Sequence, residues 1–371
     1  MGSDVVLVIV VATALAFDFT NGFHDTANAI ATSVSTRAMA PRTAVLLSAV
    51  LNFAGAFISL KVAATVASGI VDASAITTTV VFAGLIGAIA WNLATWWLGL
   101  PSSSSHALIG GVVGAAFAAD GPSVIFGDGI VEKVLVPGIV APLLAFTVAA
   151  AAIVVTYRMV GNLRPGPVNR GYRLGQIVTA SMFSLAHGTN DAQKTMGIIT
   201  LALIAHGDLP ANSFDVPLWV VVSAAAAIAL GTYTGGWRII RTMGSRIIKM
   251  DPAQGFSAQG AGAAVVLTAT HLGFPLSTTH VISGAVMGAG AAKRLSAVRW
   301  GLAGNIAIAW VLTLPAAAAI GALIYAFSSI FGSGSLGPIV VVLCLIMTIA
   351  GIFGRRITQD RAHEQVAPAR G

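Results

Sequence analysis

Pro101-Ser-Ser-Ser-Ser-His106 stands in the middle of one apolar run, and Pro275-Leu-Ser-Thr-Thr-His280 stands in the middle of another, 174 residues further on. A proline ends one helical arm and the hydroxyl run behind it opens the next, so each segment reads as the tip of a helical hairpin. A second pair precedes them. Asn21-Gly-Phe-His-Asp-Thr-Ala-Asn28 lies in the first apolar run and His187-Gly-Thr-Asn-Asp-Ala-Gln-Lys194 in the fifth. Asp25 and Asp191 are 166 residues apart, so both pairs keep nearly one spacing and the chain reads as two copies of one plan.

Around these segments the chain is 56% hydrophobic and 9% charged over 371 residues, with a mean hydropathy of +0.88. Soluble domains carry about a quarter charged residues; a bilayer accounts for such a deficit and a water-soluble core does not. Apolar runs fall at 5–36, 43–66, 78–118, 135–157, 175–205, 217–237, 258–291, 300–327 and 337–354, the first, third, fifth and seventh being interrupted. The uninterrupted runs are near the roughly 20 residues that cross a hydrocarbon core, and with no strand-period alternation they predict helices. A single cysteine, Cys344, leaves no intrachain disulfide framework and no cysteine-based metal cluster. Met1-Gly-Ser-Asp4 has no basic n-region, so the first run reads as a retained span.

The net charge is +7, which invites a nucleic-acid reading, but the placement of the charges argues against one. All Lys and Arg except Lys61, Lys133 and Lys194 fall in short clusters between or after apolar runs, the pattern of cytoplasmic loops. The clusters are Arg37/Arg42, Arg158/Arg164/Arg170/Arg173, Arg238/Arg241/Arg246/Lys249, Lys293/Arg294/Arg299 and Arg355/Arg356, the last followed by Arg361 and Arg370 in the tail. The alternate loops hold Asp72, then Asp120/Asp128/Glu132/Lys133, then Asp208/Asp215. With the basic loops inside, the N-terminus lies outside and the C-terminus in the cytoplasm. Runs 78–118 and 258–291 then return to the side they came from, as re-entrant hairpins from opposite faces. The expected architecture is an all-α polytopic membrane protein with an inverted-topology repeat. Its first half is 1–157, its second 175–327, and a basic cytoplasmic loop, 158–174, joins them. An extra transmembrane helix, 337–354, and a polar cytoplasmic tail, 355–371, follow. Such repeats are characteristic of secondary transporters that bind their cargo near the midplane.

The hydroxyl tips are the candidate anion site. A helix N-terminus offers free N–H groups and the positive end of the dipole. Ser102, Ser103, Ser104 and Ser105 add donors on one side, and Ser277, Thr278 and Thr279 on the other. Two such termini meeting near the midplane would enclose a tetrahedral oxyanion without an arginine clamp, so the ligand could leave again. The plainer reading makes these residues ordinary N-caps. Asp18, Asp25 and Asp191 are the carboxylates inside expected spans, and Lys194 the deep basic residue. Each is costly there, by about 2.5–3.5 kcal/mol or more, which makes it a functional candidate. Asp25 with Asn28, and Asp191 with Asn190, offer oxygen ligands for sodium or an acceptor for a proton. Lys194 stands where the first copy has Asn28, taking the place of an ion ligand, and this favours the proton. His106 and His280 follow the tips, and His24 and His187 flank the acidic residues; they are candidates for proton relay or for tethering the hairpins. Asn92 in Trp91–Trp97 and Gln254 and Gln259 before the second tip are candidates for lining, capping or gating.

In these four motifs, in this order, the chain resembles the inorganic phosphate transporter (PiT) family. The resemblance covers about 5–327 and extends to Trp91–Trp97, Ala253–Gln259 and Ala309–Ala317, which are similar to bacterial low-affinity members. It implies phosphate uptake by alternating access, phosphate on the hairpin tips and cation sites around Asp25, Asn28, Asn190 and Asp191. Asp25, Asn28 and Asp191 would be metal ligands if sodium is bound. Sodium-coupled members tend to have Asn in place of Lys194, and similar bacterial members are proton symporters that carry phosphate free or as a neutral divalent-metal complex. The expectation is a non-enzymatic cell-membrane symporter without a cofactor, in contact with lipid and not nucleic acid, with a homodimer as the candidate assembly. The alternatives are a sodium-driven carrier, a sulfate permease, an anion channel and an intramembrane hydrolase using Ser104 or Ser277 with His280. The last lacks a Gly-x-Ser-x-Gly elbow.

Overall fold

The computed structural model describes residues 2–72, 76–210, 214–332 and 335–347. Among these the chain is helical, with one isolated antiparallel bridge, Val71–Ile125. The helices are α1 (Gly2–Ser35), α2 (Pro41–Gly55), α3 (Lys61–Ser68), α4 (Thr78–Leu98), α5 (Ser104–Asp120), α6 (Gly127–Ile130) and α7 (Val136–Val160). There follow α8 (Pro165–His206), α9 (Leu218–Thr234), α10 (Trp237–Arg241), α11 (Pro252–His271), α12 (Thr278–Ala291), α13 (Trp300–Ser329) and α14 (Leu336–Met347). Among the described residues four helices, Asp4–Ser35, Thr78–Leu98, Gly127–Val160 and Trp300–Ser329, are long and apolar enough to cross a membrane, and the bent pair Leu218–Thr234 and Trp237–Arg246 adds a fifth if it is one span. The chain is thus built as a multi-pass membrane protein. The remainder of the expected span 337–354, beyond Met347, and the tail lie outside the described residues.

Several expected boundaries move. α1 and α8 pass through the acidic motifs unbroken, over 34 and 42 residues, so the interruption there is one of polarity alone. Neither motif contains proline, and its polar side chains find partners on neighbouring helices, which leaves the backbone ladder intact. The breaks come instead in the two runs read as continuous. Run 43–66 is α2 and α3, parted at 56–60, where the Gln193 side chain accepts from the N–H groups of Val62 (2.8 Å) and Ala63 (3.2 Å) and so caps α3 from α8. Run 217–237 stops at Gly235, and α9 bends by 58° into α10 and the turn behind it. The basic segment 158–174 is mostly helix, since α8 opens at Pro165, a residue suited to the first helical turn. The second hairpin starts at Pro252, capped by Asp251 and Gln254 in a reciprocal capping box.

The hairpin arms also end before their prolines. α4 closes on Gly99 (φ +67°), and the turn after α11 on Gly273 (φ +83°), conformations that glycine adopts without strain. A residue before proline is disfavoured in the helical conformation, which is consistent with each arm stopping short of its proline.

Two apolar clusters lie on either side of a polar layer. One gathers Val6–Phe17 of α1 with α3, α4, α5, α9 and the Ala192–Leu203 part of α8. The other gathers Ala27–Ala31 of α1 with α7, α11, α12 and the Ala180–Ala186 part of α8. α1 and α8 therefore run through the molecule in opposite directions, and their polar motifs share the layer between. The crossings that hold them are made of glycine pairs. A Cβ on Gly22 would stand 2.3 Å from the Ile228 carbonyl, and one on Gly188 would stand 2.2 Å from that of Asn52. Close backbone approach of this kind replaces the hydrophobic drive that lipid does not supply. Here it locks α1 to α9 and α8 to α2. Likewise α5 packs on α13 and α12 on α7, so each part of the chain is completed by the other.

Candidate functional site

The two tips meet in the polar layer. Ser103 and Ser277 are N-caps: their hydroxyls accept from the N–H groups of His106 (3.0 Å) and His280 (3.2 Å). The capping reading is therefore met by one residue in each tip, and the next hydroxyls point elsewhere. Ser104 donates to Asp25 Oδ2 (3.1 Å), Thr279 to Asp25 Oδ1 (3.0 Å), and Thr278 to Asp191 Oδ2 (3.2 Å). Ser105 crosses to the other tip and donates to the Leu276 carbonyl at 2.9 Å. Ser102 shares a 2.7 Å hydrogen bond with Thr95 and stands 3.4 Å from His24 Nε2.

Lys194 is 1% exposed and joins these parts. Its ammonium donates to Asp191, to Ser105 Oγ (2.5 Å) and to the Leu276 carbonyl (2.8 Å). An ammonium has three donors, and here all three are used. A buried cation with one counter-charge and a full set of acceptors is stable where a lone one is not.

Asp25 is held without a lysine. His24 Nδ1 lies 2.7 Å from it, while His24 Nε2 reaches Thr95 at 3.3 Å. Asn28 donates to Thr279 (2.8 Å) and leaves its own Oδ1 without a hydrogen-bond partner. Asn190 turns away from Asp191 and donates to Thr270 (2.8 Å) and the Phe274 carbonyl (3.1 Å), bracing the approach to the second tip. His187 stands 3.0 Å from Asp191 Oδ2, and its other nitrogen faces Asn52 at 3.1 Å. A carboxylate oxygen of Asp25, one of Asp191 and a ring nitrogen of His187 lie within 4.8 Å of one another, close enough to share one cation. The two motifs, 166 residues apart in sequence, thus form one centre.

His106 and His280 form a contact of their own, their rings 4.9 Å apart and edge to face. His280 also stacks on Trp310 at 4.1 Å, and its Nδ1 lies 3.4 Å from the Gly138 carbonyl. They tie the two hairpins to each other and to α7 and α13. Gln259 binds the Ala29 carbonyl (2.5 Å) and accepts from Ser33 (3.1 Å), joining the second hairpin to α1.

Four contributors escape a reading of the sequence. Thr95 takes part only because α4 lies beside α1; Thr270 and the Leu276 carbonyl carry no signal in residue type. The fourth is a polar cavity of about 370 Å³ beside the first tip, lined by Arg238, Arg241, Arg246, Thr242 and Trp97. Thr242 donates to the Gly99 carbonyl at 2.9 Å, and Arg238 to that of Trp97 at 2.6 Å. In sequence these arginines are one more basic cluster; in the fold they line a cavity beside a hairpin tip.

The chain is similar to known proteins along most of its length. The sequence profile of the phosphate transporter family matches residues 21–167 and 164–321. The chain is 53% identical over 349 residues, 94% of its length and 84% of the relative's, to a protein of Mycobacterium tuberculosis described as "Probable low-affinity inorganic phosphate transporter". Proteins of the same description from Rhizobium meliloti (52% identity, 86% of this chain, 95% of the relative) and Bacillus subtilis (47%, 86% and 96%) are similar throughout. A solved structure, "The sodium-dependent phosphate transporter", superposes with a TM-score of 0.76 at 26% identity, covering 86% of this chain and 98% of the other. These relatives are transporters and not enzymes. Matched along most of its length, and with the paired motifs gathered into one buried centre, the chain belongs to the phosphate transporter family.

Proposed function

We propose that this protein imports inorganic phosphate across the cell membrane by proton symport with alternating access. The observation that carries the reading is the Lys194 ammonium, bound at once to Asp191, to the first tip through Ser105 and to the second through the Leu276 carbonyl. It holds shut the place where two helix N-termini face one another. An arriving anion offers that ammonium and the hydroxyls of Ser102, Ser104, Ser105, Thr278 and Thr279 new acceptors. The first N–H groups of α5 and α12, which have no intrahelical partner, complete the cradle with Ser103 and Ser277 holding its shape. The tips then part from the carboxylates, and Asp25 and Asp191 are left to take up positive charge.

The antiparallel course of α1 and α8 supports inverted halves with one re-entrant hairpin from each face. The basic segments gather at one end: Thr36 donates to Gln176 (2.7 Å), Tyr157 to Asp251 (2.6 Å) and Lys293 to Asp251 (3.2 Å). Taking that end as cytoplasmic puts the N-terminus outside. The proton reading rests on Lys194, whose charge fills the place a sodium ion would need.

Sodium is the second reading. The Asp25, Asp191 and His187 atoms within 4.8 Å favour it, as does the sodium-dependent relative of similar fold. The same atoms suit phosphate travelling as a divalent-metal complex. Uptake of radiolabelled phosphate into proteoliposomes, varying pH, sodium and magnesium one at a time, separates the three. Proton symport predicts accumulation driven by a pH gradient, unchanged on removing sodium and lost in Asp25→Asn and Asp191→Asn. Unimpaired uptake with both aspartates replaced, or uptake driven by sodium alone, defeats it. Competition by sulfate tests the choice of anion.

A further inference from the structure

Asp18 takes no part in the centre described above, yet it is fully buried in the interior of a membrane protein. The Thr195 hydroxyl and the Asn21 amide act on it, and through charge Asp191 and Lys194 do as well. Neither carboxylate oxygen completes a hydrogen bond of normal length and angle, nor does either amide atom of Asn21 or the Thr195 hydroxyl. Asn21 is 1% exposed and Thr195 0%. Five polar atoms on two facing helices thus stand together in a buried place, within reach of one another but short of well-formed hydrogen bonds.

The repeat sharpens this. With Asp25 set against Asp191, Asp18 falls opposite Ser184, and Asn28 falls opposite Lys194. Ser184 spends its hydroxyl on its own helix, donating to the Ala180 carbonyl at 2.8 Å. The second half therefore adds a cation at Lys194, and the first adds an acid at Asp18. These two departures from symmetry act on each other, and Thr195, beside Asp18, is the next residue after Lys194.

We propose that Asp18, with Asn21 and Thr195, is the site that carries the coupled proton; this rests on the proton reading given above. Asp191 is paired with Lys194, and Asp25 is bonded to Ser104, Thr279 and His24, so among the described residues Asp18 is the deeply buried acid with neither a bonded cation nor a well-formed hydrogen bond to hold its charge. A carboxylate in that position neutralises by taking a proton, and the resulting O–H has the Asn21 carbonyl or the Thr195 oxygen to donate to. A metal cation suits the place less well, because the Lys194 charge repels it and the side chains supply few oxygens. The charged groups of α8 acting on Asp18 are Asp191 and Lys194; α4 and α9 carry no ionisable acid or base, except Tyr233 of α9. On the other helices packed on α1 such groups are Arg42 of α2, Arg238 and Arg241 of α10, Arg246 of the turn behind it, His271 of α11, His106 and Asp120 of α5 and His280 of α12. Seven residues before Asp25, Asp18 stands about 10 Å along α1 toward the acidic end of the molecule. A proton arriving from that end reaches Asp18 before the tips. Once it is bound, the acid no longer attracts Lys194, whose hold on both tips can then pass to the anion.

The test uses the full-length protein in proteoliposomes carrying an internal pH dye. It compares wild type, Asp18→Asn and Asp18→Glu in phosphate accumulation under a pH gradient and in phosphate–phosphate exchange without one. Expected for Asp18→Asn is an accumulation lower by about tenfold or more, with proton influx lost, while exchange falls by no more than about threefold, as when one coupling term is removed. Asp18→Glu restores accumulation. Accumulation and proton influx at wild-type levels in Asp18→Asn overturn the proposal, as does a parallel fall of accumulation and exchange that Glu does not repair. If Asp18→Asn does not yield folded protein, Thr195→Val decides: a shifted pH midpoint of uptake supports the site and an unmoved one overturns it. Wild-type uptake without any proton movement would instead defeat the symport reading itself, whatever Asp18 does.

Discussion

Asp25 and Asp191 hold equivalent places on α1 and α8, in the same polar layer, yet they are held differently. Asp25 is met by neutral donors, Ser104 and Thr279 from both tips, and by the His24 ring. Asp191 is met by Thr278, His187 and the Lys194 ammonium. The hydroxyl Ser105, one residue on from Ser104, serves Lys194 and no carboxylate. One half thus presents an acid solvated by hydroxyls that an ion can replace, the other an ion pair that doubles as a bolt across both tips. Two like motifs thus build an asymmetric centre. Under the proposed function, the second half would supply the charge that meets the anion and the first would be free to carry a cation.

The comparison is most exposed at the two carboxylates. Asp191→Asn leaves Lys194 buried without its counter-charge, so a loss of about 3–5 kcal/mol is expected, seen as a fall in Tm in detergent together with loss of phosphate uptake. Asp25→Asn strands no cation and costs about 1.5–3 kcal/mol, so folded protein without uptake is the expected result. Equal destabilisation by the two would break the distinction. Lys194→Asn gives the second half the residue of the first; it orphans Asp191, Ser105 and the Leu276 carbonyl from the ammonium, at about 1–3 kcal/mol for an unsatisfied group. Pulling the bolt in this way should weaken proton-driven uptake and introduce a dependence on sodium, read in the same proteoliposomes.

The helix crossings should, by contrast, behave alike. Gly22→Ala and Gly188→Ala each force a Cβ to within 2.3 and 2.2 Å of a carbonyl oxygen, and each should cost about 1–3 kcal/mol by thermal melting. A large inequality would mean that the two crossings are not equivalent. The smallest effect is reserved for the caps: Ser103→Ala and Ser277→Ala should each lose about 1 kcal/mol and lower uptake less than Ser104→Ala or Thr278→Ala does.

Much of this was legible before any coordinates. Hydrophobic runs and the cost of charge in lipid mark the spans and single out Asp25, Asp191 and Lys194, because burial in a membrane penalises those residue types wherever they occur. The breaks were misplaced for a physical reason. Polar residues in α1 and α8 look like interruptions, but a helix continues through them once neighbouring helices supply hydrogen-bond partners. The parting of α2 from α3 is invisible in sequence, because its cap comes from Gln193, 131 residues from the Val62 N–H that it accepts.

Sequence by itself determined the composition of a membrane protein, the twofold plan and the identity of the groups that a bilayer would not tolerate without a function. Tertiary structure decided which of those groups meet. It turned Ser103 and Ser277 into caps and Ser104, Thr278 and Thr279 into partners of carboxylates. It made Lys194 a bolt across both tips and set Asp18 beside Thr195. Pairings of that kind depend on two helices crossing at a glycine, and a contact made across more than a hundred residues leaves no pattern in local residue order.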